Sequence, residues 1–111
     1  MRIQFRDRAA NLSKGWRTHV EGRLGLALGR FGERIERVIV RMSDVAGESC
    51  CRIEVSVRAR LIRAEGTAGD AFVAVDNAAS RASSAVDRAL EREQLSVDGT
   101  AWQAPPRAIK T

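Results

Sequence analysis

Residues 35–67 read IERVIVRMSDVAGESCCRIEVSVRARLIRAEGT, and their alternation decides the fold. Cys51, Ile53, Val55 and Val57 share one side; Arg52, Glu54, Ser56 and Arg58 share the other. A period of two marks a strand with one buried and one solvated face. This predicts a strand over about 50–58. Upstream, Val38, Val40 and Met42 face one way and Arg37, Ile39 and Arg41 the other, which predicts a strand over about 35–43. Asp44 to Ser49 between them is turn chemistry. Leu61 to Thr67 predicts a further strand, ending at Gly66 or Gly69. Its connection through Arg58-Ala59-Arg60 has no Gly, Asn or Pro, so its turn type stays open.

Working outward, the period changes. Trp16, Val20, Leu24, Ala27, Leu28 and Phe31 recur every three or four residues, predicting a helix from about Ser13 to Gly32. Asn11 to Ser13 supplies its N-cap and Gly32 its stop. Phe72, Val75, Ala79, Ala82, Val86 and Leu90 form the core stripe of a second helix, capped by Asp70 and running to about Glu93. Ile3 and Phe5, alternating with Arg2, Gln4 and Arg6, predict a short first strand. The order β-α-β-β-β-α predicts an α+β two-layer sandwich, a four-stranded sheet with both helices on one face. Residues 1–94 are expected to form one domain. Residues 95–111, with Gly99, Pro105 and Pro106 and no periodicity, are expected to form a flexible C-terminal tail in which Trp102 offers a docking group.

Composition narrows the function. A chain of 111 residues fits one domain, and 44% hydrophobic residues support a core, which excludes fibrous and wholly disordered classes. No apolar run approaches the ~18–20 residues of a membrane span, and MRIQFRDRAA is no secretory leader, so a cytoplasmic protein without a membrane partner is expected. One histidine, no tyrosine and two adjacent cysteines are poor catalytic material. Cys50 and Cys51 point to opposite faces of a strand and do not share a metal. No phosphate loop, nucleophile elbow or metalloprotease helix is present. No catalytic residue, cofactor or metal is therefore assigned, and the chain reads as a non-enzyme.

Charge is the positive signal. Nineteen Lys and Arg against fourteen Asp and Glu leave +5, which suits a polyanionic partner. Seventeen of the nineteen are arginine, the residue that grips phosphate with a planar fork. On the second helix Arg81, Arg88 and Arg92, spaced by seven and four, form one row opposite the core stripe. On the first, His19, Arg23, Arg30 and Arg34 fall on one flank. With the helices side by side, the two rows are expected to border a common groove. Glu21, Glu33, Asp87 and Glu91 offer ion-pair partners within the helices. Gly22, Gly25, Gly29 and Gly32 make a stripe facing away from the core. The wet sheet face carries Arg37, Arg41, Arg52, Arg58 and Arg63 against Glu54 and Glu65, which predicts cross-strand pairs. Ile39 on that face reads as an ordinary exposed apolar residue.

RLGLALGRFGERIERVIVRMSDV (residues 23–45) resembles the first helix and following strand of the ribosome hibernation-promoting factor family, which includes ribosome-associated inhibitor A. GDAFVAVDNAASRASSAVDRAL (residues 69–90) is similar to the start of that family's last helix, through Asp70, Phe72 and Val75-Asp76. The resemblance covers about Met1 to Glu93 and implies the same element order. It implies a translation inhibitor that binds small-subunit, 16S-type ribosomal RNA in the mRNA and tRNA channel in resting or stressed cells. Carried over by position, it implicates Arg23, Arg30, Arg34, Arg81, Arg88 and Arg92. Two departures stand out. The family's last helix is usually lysine-rich, whereas this one is diluted by Ala, Ser, Asp87, Glu91 and Glu93. The long form's second domain has no counterpart, so the resemblance is to a divergent short form. The alternative reading is a protein-interaction module or weak homodimer that has left the ribosome.

Overall fold

The computed structural model describes the backbone of residues 1–102 and the side chains of residues 1–92. The strands are β1 (Arg2–Asp7), β2 (Ile35–Val45), β3 (Glu48–Val57) and β4 (Arg60–Ala68). The helices are α1 (Lys14–Leu28) and α2 (Ala71–Trp102). The sheet runs β1-β2-β3-β4, with β1 parallel to β2 and the later pairs antiparallel. A parallel neighbour requires a crossover, and α1 supplies it. The expected α+β sandwich, β-α-β-β-β-α with both helices on one face, is the fold observed.

The strands form where the alternation places them. Val38, Val40, Met42, Cys51, Ile53, Val55 and Val57 are all buried beneath the helices. A bulge between Ile35 and Arg37 admits one extra residue, so Ile35 and Val38 both turn inward. Both hairpins are two-residue turns with positive φ at each central position: Ala46 (53°) and Gly47 (80°), then Arg58 (48°) and Ala59 (66°). That pattern is the one that matches strand twist, and the second turn adopts it without glycine.

The helices differ from expectation in several places. Ser13 is the N-cap as expected, its Oγ accepting from the Trp16 N–H at 3.1 Å. However, the α-helix stops at Leu28, and a 3-10 turn, Gly29–Arg34, follows, broken where Gly32 takes φ 60°. Gly32 is thus a break inside that turn and not the stop of α1, and of the glycine stripe only Gly22 and Gly25 lie within the helix, with Gly29 at its C-cap. The second helix continues past Glu93 to Trp102. The Trp102 side chain and residues 103–111 lie outside the described residues. Phe72 is not core: it is 42% exposed, because it sits in the first turn at the end of the sheet. Its ring stands edge-on to His19, with centroids 5.1 Å apart. The buried α2 stripe is instead Ala74, Val75, Ala78, Ala79, Ala82, Val86 and Ala89. Ile39 is also no exposed residue. It is 8% exposed, held on a central strand between Gln4 and Glu54 in register.

Those alanines let α2 descend onto β4. A Cβ built on Gly66 would stand 2.4 Å from the Ala78 nitrogen and 2.6 Å from the Ala74 carbonyl oxygen. Backbone lies against backbone there, so neither side can yield. One turn earlier on α2, Trp16 of α1 makes the contact: it is 1% exposed, its ring edge-on to Phe5, and its indole N–H donates to the Ala71 carbonyl at 3.2 Å. Trp16 thus ties the start of α1 to the start of α2. Asp70 Oδ1 accepts from the Phe72 N–H at 2.6 Å and completes the α2 cap.

Gly66→Ala is expected to destabilise the domain by about 2 kcal/mol or more, because overpacking here meets main chain. Gly25, with open space around it, should behave oppositely. Gly25→Ala should stabilise by up to ~1 kcal/mol through helix propensity. Urea midpoints of the two variants check this; a neutral Gly66→Ala would show that α2 is free to shift.

Candidate nucleic-acid interface

The two arginine rows do not border a common groove. Arg23 Nε donates to Asp76 Oδ1 at 3.1 Å, and His19 Nε2 lies 2.8 Å from the same oxygen. An Arg30 Nη donates to Ser83 Oγ at 3.1 Å, and Arg30 reaches Asp87 at 3.9 Å. Arg34 Nε donates to the Phe31 carbonyl at 3.0 Å, closing the 3-10 turn. The Arg30 guanidinium lies 4.5 Å from the centroid of the Phe31 ring. His19, Arg23 and Arg30 therefore meet one flank of α2, where Asp76, Ser80, Ser83 and Asp87 are spaced by four, three and four, while Arg34 folds back on its own turn.

The second row stands on the opposite flank, over the sheet edge. Arg81 donates to the Glu65 main-chain carbonyl at 2.9 Å, and Asn77, one turn earlier, to the Thr67 carbonyl at 3.3 Å. Both close acceptors that edge strand β4 leaves open. Arg88 follows two turns later on the same flank, and Arg92 is exposed one turn beyond. The rows separate because α2 sits over β4, with one flank against α1 and the other overhanging the edge.

That overhang makes an open groove of about 610 Å³ between α2 and the sheet edge, with walls of Arg81, Arg88, Arg52, Arg63 and Glu65. Ala64 and Ala85 form its floor. Strand alternation places Arg52 and Arg63 on the wet face, but as sheet ion pairs only. Their meeting with Arg81 and Arg88 depends on the position of α2, which no period in the sequence encodes.

On the sheet's outer face the predicted cross-strand pairs are present. Arg52 pairs with Glu65 at 2.6 Å and Arg63 with Glu54 at 3.1 Å, each opposite its partner in register. Arg41 joins Glu54 at 3.4 Å and Asp7 at 3.0 Å, and Arg8 pairs with Asp44. The Asp7 and Glu54 carboxylates hold the Arg41 guanidinium above its ordinary pKa, and Glu65 does the same for Arg52. Exposed pairs of this kind add little stability, but they orient the guanidinium planes.

The neighbouring thiols differ. Cys50 is half-buried beside Asp7, Arg41 and Arg52, whereas Cys51 is buried. Burial pushes the Cys51 thiol up to about 12, with the Cys50 charge a smaller cause. Among the described residues no cluster of His, Cys, Asp or Glu is placed to hold a metal ion, and no helix is long and apolar enough to cross a membrane.

A mixed four-stranded sheet carrying two helices, with an arginine-lined groove at one edge, defines a basic α+β domain. The chain belongs to the sigma 54 modulation protein / S30EA ribosomal protein family, whose model matches residues 3–94. Its structure is similar to the N-terminal domain of Protein Y from Thermus thermophilus, with a TM-score of 0.61 and 26% identity over 78% of this chain and 93% of that one. A ribosomal subunit interface protein from Coxiella burnetii shares the fold, with a TM-score of 0.66 at 16% identity over 86% of this chain and 99% of that one. No curated protein matches the chain.

In native protein only Cys50 should react with an aromatic disulfide reagent, and Cys51 only on unfolding. Because the folded thiol of Cys51 lies above its ordinary value of 9.0, the unfolded chain loses its proton first. Stability should then be intact below pH 9 and fall as pH rises toward 12, by at most about 1.4 kcal/mol per unit. Denaturation midpoints across that range check the sign. Rapid labelling of both thiols in native protein would contradict the burial.

Proposed function

We propose that this protein is a non-enzymatic, cytoplasmic factor that binds the small ribosomal subunit through its ribosomal RNA and restrains translation in resting or stressed cells. Family membership over residues 3–94 supports the ribosomal partner, as does the likeness to a ribosomal subunit interface protein. The observation that carries the reading is the groove: four arginines against one carboxylate, open to solvent along the sheet edge. Phosphate contacts of this kind draw their free energy from counterion release and fade with salt. Binding in the decoding channel would then act by occupancy and require no chemistry.

The six candidate arginines carry unequal weight. Arg88 and Arg92 are exposed on α2, and Arg81, bonded to the β4 edge, lines the groove beside Arg88. Arg34 closes a turn, and Arg23 and Arg30 join the helices, each with donors left for an RNA contact. Arg23 and Arg30 therefore serve two ends, holding the helices together and presenting charge at their junction.

The protein should co-sediment with purified small subunits at low salt, and retention should fall steeply as salt rises. Arg88→Ala/Arg92→Ala should weaken retention and reduce the slope of log K against log salt by about one for each phosphate no longer neutralised. The same pair should relieve inhibition in a cell-free translation reaction. Absence of retention at every salt concentration would refute the reading and favour a protein partner.

A further inference from the structure

We propose that the bound RNA backbone does not stay on α2 but wraps round the β4 edge, with Arg63 and Arg52 of the sheet's outer face taking phosphates alongside Arg81 and Arg88. This inference rests on the RNA-binding reading above and assigns it a path. The groove is continuous from the α2 flank to Arg52 and Arg63, so one surface joins the two faces of the sheet at its edge. Nothing in the helical pattern alone connects them.

Four features favour a phosphodiester chain here. Arg81 and Arg88 are seven residues apart, ~10.5 Å along the helix, a span over which two guanidiniums can serve neighbouring phosphates of one strand. Arg81 spends one donor on the Glu65 carbonyl, which fixes its fork at the strand edge while the rest stay available. Arg63 engages Glu54 through Nε at 3.1 Å, which leaves its terminal nitrogens on an exposed side chain. The floor is alanine, so neither a bulky side chain nor a second acid blocks a passing backbone.

Glu65 is the groove's own carboxylate and pairs with Arg52 at 2.6 Å. It holds Arg52 in place and competes with phosphate for it. Loss of its charge should therefore strengthen binding. The backbone carbonyl that accepts from Arg81 survives that change.

The test is the salt dependence of binding, by fluorescence anisotropy, of a single-stranded RNA 12-mer, repeated with isolated small subunits. Arg63→Gln is safe for the fold because Glu54 keeps Arg41 as a partner. It should weaken binding severalfold and lower the salt slope by about one. Glu65→Gln should tighten binding and steepen the slope. Arg6→Gln, on strand β1 at the far edge, is the control and should match wild type. If Arg88→Gln weakens binding while Arg63→Gln and Glu65→Gln leave it at the wild-type level, the RNA stays on α2 and this inference fails with the function intact. Wild-type protein that retains neither RNA nor subunits overturns both. Inorganic tripolyphosphate that binds as tightly as the 12-mer makes the groove a site for soluble polyphosphate and overturns the backbone path.

Discussion

The main-chain contact between α2 and β4 at Gly66 governs the rest of the molecule. Helices normally stand off a sheet by the depth of their side chains. Here Gly66 meets the backbone of Ala74 and Ala78, and the facing α2 stripe is mostly alanine. Small residues on both sides permit the approach, and the approach fixes how α2 is rotated about its axis. With that rotation set, Asn77 and Arg81 reach the β4 carbonyls, and Asp76, Ser80, Ser83 and Asp87 must face α1. A packing constraint thus determines the charge map. Dispersion contacts supply the energy, and intrusion into them is costly because close-packed backbone cannot relax.

The sheet and the helices use arginine differently. On the outer sheet face, Arg41, Arg52 and Arg63 alternate with Glu54 and Glu65 across strands, so charge is largely balanced in place. Between the helices, Arg23 and Arg30 spend donors on carboxylates and hydroxyls of α2. Along the β4 edge, by contrast, arginines from both layers converge with fewer acids than cations. A surplus of five positive charges spread evenly would steer polyanions weakly. Along one edge, four arginines against one carboxylate concentrate a surplus of three and offer a track.

Much of this is legible in the sequence, and the misses share one cause. The three antiparallel strands follow from strict alternation, since a one-residue slip would expose Ile53, Val55 and Val57 together. The helix stripes follow from their spacing, as does the Ser13 cap. Periodicity assigns Phe72 to the core because large apolar side chains dominate any such argument, while Ala74 and Ala78, which carry the packing, are almost silent in it. Alternation assigns Ile39 to solvent because it tells which face a residue takes, not what its neighbours on that face cover. The turn at Arg58 and Ala59 escapes because tertiary context holds two ordinary residues at positive φ. The common groove fails for the same reason. Helical spacing tells that Arg81 and Arg88 share a stripe, but the element beside that stripe is a property of the assembled layers.

The acids of α2 show why position outweighs composition. Counted along the helix, Asp76, Asp87 and Glu91 dilute its positive charge and argue against a polyanion partner. In the folded chain Asp76 holds His19 and Arg23, and Asp87 lies by Arg30, on the flank turned to α1. Glu91 follows Asp87 by four residues and so continues that flank. The arginines occupy the flank over the sheet edge, and of these acids only Glu91, three residues beyond Arg88, stands beside their row as an i,i+3 neighbour. Asp76 and Asp87 therefore tighten the junction between the helices, spending their charge on His19, Arg23 and Arg30 and not on the groove. A helix of modest net charge can present a strongly cationic edge, provided its neighbours sort the charges by side.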